Sequence, residues 1–557
     1  MPVKLLLTCL LLVCALAAQA APARPEQAAV ASAHPAATVA GLETLAHGGN
    51  AFDAAVAISA ALAVAEPYGS GLGGGGFFLL RQAGETPTYR FIDARERAPL
   101  GAGPDLYRRG GAVQRELSLN GALAAAIPGL PAALAHLAER YGKLPLHDSL
   151  TPAIRLARDG VGIDRVYRER AEWRLQAMQA DAETARIFLD QGRIPVLHGL
   201  LRQPELARTL ERLARDGHAG FYGGETARRL LQGVQAAGGI WTARDLREYR
   251  VVERAPLRFP LQDGRELIGA PPPSAGGVIL AQSLGMLQQL PWREAGALQR
   301  SHYVIEALRR AYRDRALLGD PDQVRVPLQQ LLAANYLRRQ ARTIHLRDAT
   351  PSASLPPAPS WREGDHTTHF TVLDREGNAV AATLSINLPF GAAFTAPGTG
   401  VLLNNEMDDF AADPQGSNVY GLAGSRANAI AGGKRPLSSM SPTFIESESE
   451  LASFGTPGGS RIPSMVLLAV LDYLDGKPVA QWPATPRYHQ QYLPDVVEHE
   501  PGTFSASQLN ALEMRGYRLK PVERRYGNQQ VLLWRKDDGQ VEAASDPRGV
   551  GRAAYWR

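Results

Sequence analysis

Cysteine is nearly absent: the 557-residue chain has two, Cys9 and Cys14, both near the N-terminus. Beyond them no disulfide, thiolate metal site or cysteine nucleophile is available. Long apolar runs are also missing. The one at the N-terminus, Leu5 to Ala18, spans about 14 residues, short of the ~20 that a bilayer-crossing helix needs. Lys4 precedes it, and Ala18-Gln19-Ala20 and then Ala21 follow. That order of charge, apolar run and small-x-small site is a secretory signal. We expect residues 1–20 to be removed and the protein to be exported, to the periplasm if the cell is Gram-negative. An excess of one charge sign is missing too. The net charge is only +5, and arginines alternate with acids, as in Arg244-Asp245-Leu246-Arg247-Glu248. With no basic stripe interleaved with aromatics, nucleic-acid binding is not expected. The 55 Gly and 40 Pro supply turns but are too few for a disordered or collagen-like chain. With 45% hydrophobic and 21% charged residues, the chain is globular and long enough for a large core.

Several common catalytic motifs are missing as well. There is no Gly-x-Ser-x-Gly, no His-Glu-x-x-His, and Gly433-Lys434-Arg435 lacks the spacing of a phosphate loop. Asp365, His366 and His369 lie close in sequence, but no further ligands follow at metal-site spacing. We expect no metal.

Residues 26–65 read as Ala-rich helix, broken at Gly48-Gly49-Asn50. The second half, Ala51 to Ala65, is apolar all round and predicts a buried helix. Phe77–Arg81 and Thr88–Ile92 predict a hairpin. From Ile127 to about Leu346 the pattern is mainly helical, including Pro131 to Tyr141. Residues 347–359, rich in Pro, Ser and Ala, read as an exposed linker. Strand patterns follow at Thr368–Leu373, Ala379–Ile386, Gly400–Leu403, Pro442–Glu446 and Leu451–Phe454, then a helix over Ser460–Leu474. Sheets with covering helices on both sides of the linker suggest one layered α/β body.

Chemistry concentrates after the linker. The pair Thr367-Thr368 opens a strand, which is ordinary for Thr. Cleavage before Thr367 would give it another role. A free α-amine has a pKa near 8. Next to its own hydroxyl, that amine is a general base beside a nucleophile. Leu437-Ser438-Ser439-Met440-Ser441 offers hydroxyls for a carboxylate. Pro457-Gly458-Gly459-Ser460 precedes a helix and can hold an oxyanion on backbone N–H groups. Asn404-Asn405-Glu406-Met407-Asp408-Asp409 offers acids for an ammonium. Each alone reads as turn or cap chemistry; their joint occurrence is the signal.

At these residues the chain resembles the gamma-glutamyltransferase (gamma-glutamyltranspeptidase) family of the N-terminal-nucleophile hydrolase superfamily. The resemblance extends to Gly48–Ala55, Leu72–Phe77, Asp93–Pro99, Lys434–Pro442, Gly458–Arg461 and Ser545–Arg548. It implies a four-layer αββα sandwich made of two chains from one precursor, 21–366 and 367–557, cut between His366 and Thr367. It implies Thr367 as nucleophile, Ser385 as the hydroxyl that orients it, and Gly458 and Gly459 as the oxyanion hole. Arg95, Ser438 and Ser439 would hold a substrate α-carboxylate. Asn387, Glu406 and Asp409 would hold its α-ammonium, and Tyr420 would sit on a lid loop. The implied reaction transfers a γ-glutamyl group, from glutathione or a related compound, to water or to an amino acid or peptide, without cofactor. Two segments depart from the usual form, Glu66–Ser70 and Leu388-Pro389-Phe390. Two alternatives are a cephalosporin (glutaryl) acylase, which needs no acids for an ammonium, and a non-catalytic exported protein that binds γ-glutamyl peptides and needs no Thr367.

Overall fold

The computed structural model describes residues 24–358, 366–411 and 425–557. The expected leader at 1–20 lies outside them. The chain opens with strand β1 (Ala28–Ser32), then helices α1 (Pro35–Ala46) and α2 (Ala51–Ala65). Helix α2 is buried at all fifteen positions, as its apolar circumference requires. Asn50 caps it: its side chain accepts from the Phe52 and Asp53 amides, and Asp53 accepts from the Asn50 amide in return. The hairpin follows as β2 (Gly75–Gln82) and β3 (Thr88–Ala94). The helical region includes α3 (Leu130–Arg140), three strands β4 (Val252–Arg254), β5 (Leu257–Pro260) and β6 (Glu266–Gly269), then α4 (Gly276–Leu287) and α5 (Ala297–Asp314). After residue 366 come β7 (Thr368–Leu373), β8 (Ala379–Ser385), β9 (Thr443–Glu446), β10 (Glu450–Gly455), α6 (Ile462–Leu474), β11 (Gln530–Arg535), β12 (Val541–Ser545) and β13 (Arg552–Trp556).

Two antiparallel sheets form the centre. One runs β13-β1-β7-β8-β2-β3-β4 and the other β12-β11-β10-β9-β6-β5. Alternating side chains of β2 show the layering. Phe77 and Leu79 join Phe444 and Leu451 between the sheets. Phe78 and Leu80 point the other way, into a core shared with α2 and α3. Helices α4 and α6 pack on the far side of the second sheet, which completes the αββα sandwich. A buried ion pair ties the sheets together. Arg81 of β2 bonds both oxygens of Glu446 of β9 at 2.7–3.1 Å, and Tyr89 and Lys536 also bond that carboxylate.

Both sheets contain strands from before and after residue 366, so neither half has a sheet of its own. One expectation is corrected. Residues 28–32 form a strand, not a helix. All five are buried and pair with β7 on one edge and β13 on the other, so pairing on both edges overrides alanine's helical preference. Residues 347–358 are exposed at most positions, as read from the sequence, and are anchored to the body at a few. Thr350, Ser352 and Ala358 are buried. The Ala349 amide bonds the Arg515 carbonyl, and the Ser352 amide and hydroxyl bond Asp495 and the Tyr492 carbonyl. Backbone groups that lack a ladder partner are satisfied here by side chains of the body.

Candidate active site

Thr367 stands immediately before β7 and is 9% exposed. The β7–β8 register pairs Thr368 with Leu384, which brings Ser385 opposite Thr367. The Ser385 hydroxyl donates to the His366 carbonyl at 3.2 Å and accepts from the Asn387 amide at 2.8 Å. The His366 amide in turn donates to the Asn387 carbonyl at 3.3 Å. The peptide bond between His366 and Thr367 is thus held from the neighbouring strand. Asn387 takes φ = 74°, a turn that carries its side chain to the Asn405 carbonyl at 2.9 Å. On the other flank, Thr368 donates to Glu66 at 2.7 Å and Tyr68 donates to it at 3.1 Å. Burial raises the Glu66 carboxyl above its usual range.

Gly458 and Gly459 follow β10 and lead into α6 with φ of 138° and 56°, values that favour glycine. A Cβ on Gly458 would lie 2.5 Å from the Met465 methyl. Gly458, Thr367 and His366 line one cavity of about 260 Å³. His369 is not part of it. Its ring is buried and bonds Thr383 at 2.9 Å, and burial pushes it down to about 3. No group of acids and histidines suited to a metal occurs among the described residues.

The second half of the site is built on Arg95, just past β3. It is ion-paired to Glu406 at 2.9 Å, to Asp409, and to Glu96 at 3.6 Å. Its Nε donates to the Pro436 carbonyl at 3.2 Å, which sets Ser438 and Ser439 beside it in sequence. Sequence reasoning gave Arg95 to one ligand group and Glu406 and Asp409 to another; the fold joins them in a single buried cluster. Burial pushes Glu406 and Glu96 each up to about 7, with Arg95 opposing the rise in both.

Close backbone approach joins the two halves. A Cβ on Gly74 would lie 2.1 Å from the Ser385 carbonyl, and one on Gly75 2.3 Å from the Ala94 carbonyl. The strand carrying Ser385 and the one carrying Arg95 therefore flank the same glycines. Asparagines complete the frame. Asn404 bonds the Gly73 and Ala126 carbonyls and the Glu406 amide. Asn428 donates to the Asp409 carbonyl at 2.7 Å and accepts from the Leu437 amide at 2.9 Å. Ser438 accepts from the Met440 amide at 3.1 Å, and Ser439 is fully buried. Tyr420 lies outside the described residues. Sequence reasoning gave no role to Glu96, Asn404 or Asn405, although all three fall in motifs it singled out. Asn428 ends the stretch Asn418 to Asn428 that the resemblance reads as the lid loop, and it was given no role of its own. The two departing segments meet: the rings of Tyr68 and Phe390 are 6.3 Å apart and both contact Tyr167.

The family model described as gamma-glutamyltranspeptidase matches residues 37–556. The chain is 39% identical over 538 residues to the glutathione hydrolase proenzyme of Escherichia coli, covering 95% of this chain and 92% of that one. It is 33% identical over 549 residues to the Bacillus subtilis proenzyme of the same name, covering 94% and 90%. Among solved structures, a cephalosporin acylase from Bacillus halodurans superposes with a TM-score of 0.85 at 26% identity, covering 97% of this chain and 98% of that one. The gamma-glutamyltranspeptidase of Helicobacter pylori matches with a TM-score of 0.57 at 34% identity, covering 58% and 94%. The chain belongs to the gamma-glutamyltranspeptidase family, on an N-terminal-nucleophile hydrolase fold.

Proposed function

We propose that this protein is a γ-glutamyl transferase and glutathione hydrolase that matures by cutting itself before Thr367. The observation that carries the reading is the pairing of the His366–Thr367 peptide, gripped by Ser385, with a buried cluster of three acids around Arg95. A γ-glutamyl group presents a zwitterionic α-carbon several bonds from the amide to be cut. Its carboxylate suits the forked Arg95 guanidinium and the Ser438 and Ser439 hydroxyls. Its ammonium suits Glu406 and Asp409, whose cluster holds more acid than base. The ligand enters by exchanging partners within the Arg95 cluster. That remote binding holds the γ-carbonyl over the nucleophile.

In maturation, the Thr367 hydroxyl attacks the His366 carbonyl, and the C–N bond gives way to an ester. Ser385 donates a hydrogen bond to the oxygen that becomes negative. Water releases the His366 carboxylate and leaves Thr367 with a free amine. In turnover, that amine takes the hydroxyl proton as the hydroxyl attacks the γ-carbonyl. The Gly458 and Gly459 N–H groups stabilise the oxyanion, and the proton passes to the leaving amine. Water or an acceptor amine then resolves the ester and restores the hydroxyl. Since both sheets combine strands from before and after residue 366, the two chains stay joined after the cut. The charged–apolar–small order at 1–20 supports export to the periplasm.

Thr367→Ala tests this directly. We expect one uncut band on a denaturing gel and no release from a γ-glutamyl anilide; clean splitting of the variant would falsify the mechanism. A binding protein that is not an enzyme would stay one chain even with Thr367 present, as mass spectrometry would show. The acylase reading takes its support from the Bacillus halodurans superposition. Preference for a glutaryl anilide over the γ-glutamyl one favours it and makes the acids around Arg95 irrelevant to binding.

A further inference from the structure

Glycine N–H groups do not aim themselves. Gly458 and Gly459 have no side chains to pack and both sit at positive φ, so the direction of their N–H groups is set by what holds the next residues. The first side chain after them belongs to Ser460, which is gripped at both polar ends. Its hydroxyl donates to Gln491 Oε1 at 2.8 Å. Its carbonyl accepts from the hydroxyl of Tyr312 in α5, on the other side of residue 366 from the turn. The Arg461 amide then closes the turn on the Gly458 carbonyl at 3.1 Å, and its guanidinium is held by Glu498 at 2.8 Å.

Behind Gln491 stands a buried imidazole that the reaction does not use. Gln491 Nε2 donates to the Leu493 carbonyl at 3.0 Å. That fixes the amide the right way round, so Oε1 faces both Ser460 and His489 Nε2, the latter at 2.9 Å. A carbonyl oxygen accepts two bonds only when both partners donate, so His489 carries its hydrogen on Nε2. Burial pushes the ring down to about 4, which leaves it neutral at pH 7 with Nδ1 as acceptor. Nδ1 faces the Ser464 hydroxyl of α6 at 2.8 Å. The Tyr312 ring meets the His489 ring edge-on at 5.4 Å, so the two grips on Ser460 are packed against each other. Tyr312, Gln491 and His489 do not line the cavity at Thr367 and act on it only through Ser460.

We propose that Tyr312, Gln491 and His489 are positioning residues for the oxyanion hole, holding the Gly458 and Gly459 N–H groups on the oxygen that becomes negative. The proposal rests on the reading of Thr367 and of that turn given above. The test uses the full chain after self-cleavage and a γ-glutamyl anilide, with rates taken per mole of cut enzyme on a denaturing gel. Tyr312→Phe removes one hydroxyl and keeps the ring; Gln491→Met keeps the length and removes the acceptor. Each should lower kcat by about tenfold, part of the roughly 10²- to 10³-fold that a missing donor costs. The Ki of a γ-glutamyl analogue that cannot react should move by less than about twofold, because the lost contact serves the transition state alone. Ser460→Ala and Gln491→Met break the same bond, so the double variant should lose no more than Ser460→Ala by itself. His489→Leu should likewise add nothing to Gln491→Met. Unchanged kcat in Tyr312→Phe or in Gln491→Met overturns the proposal. So do losses that multiply in the double variants, or a Ki that rises as far as kcat falls, which is what general loosening of the fold would give. Absence of anilide turnover in the unmodified enzyme would instead sink the γ-glutamyl reading beneath it.

Discussion

Donor binding should weaken about tenfold between about pH 8 and pH 6, and Glu406→Gln should remove that dependence. The Glu406 carboxyl is pushed up to about 7, first by burial, with Arg95 opposing and Glu96 adding to the rise. One pH unit either side of about 7 takes it from ~90% to ~10% ionised. Only the ionised form attracts the donor ammonium, so affinity is full above the pKa and is lost as pH falls through it. A γ-glutamyl analogue that cannot react isolates this step. Its competitive Ki, read against anilide hydrolysis across the pH range, contains no contribution from the rate of the Thr367 chemistry. In Glu406→Gln the profile should be flat. At about pH 8, binding should be weaker by about 1.4 kcal/mol, or tenfold, the difference between a charged and a neutral hydrogen bond. A variant that keeps the slope refutes the argument. A slope that disappears in Glu96→Gln instead assigns the titration to the wrong carboxylate.

Other perturbations separate maturation from turnover and from stability. Ser385→Ala removes the donor to the His366 carbonyl; self-cleavage, followed on a gel after synthesis, should slow by about 10²-fold, the cost of one oxyanion donor. Gly458→Ala meets both a φ of 138° and the Met465 methyl, so kcat for the anilide should fall by at least about tenfold; an unchanged kcat would remove this turn from the oxyanion hole. Glu446→Ala strands Arg81 and Lys536 between the sheets, and denaturant unfolding should show a loss of about 3–5 kcal/mol. Burial opposes ionisation of Glu446, yet Arg81 and Lys536 hold its carboxyl below the usual range. Its share of the stability is therefore present at neutral pH and is lost as pH falls through that lowered pKa.

Where periodicity or capping was local, the sequence was readable. Helix α2 follows from an unbroken apolar run with Asn50 before it, and the hairpins from two strand patterns around a short turn. Strand β1 was not readable, because a central strand buried on both faces has no polar side to give it a period of two. The docking of 347–358 was hidden for a related reason: its partners, Asp495 and Tyr492, lie more than a hundred residues away. At the site, the residues with nucleophilic or oxyanion chemistry announced themselves through Thr-Thr and Gly-Gly. Arg95 was legible only by resemblance, and its pairing with Glu406 and Asp409 was not legible at all. That pairing depends on Gly74 and Gly75 letting three backbones close to within contact, a property of the fold and not of any one segment.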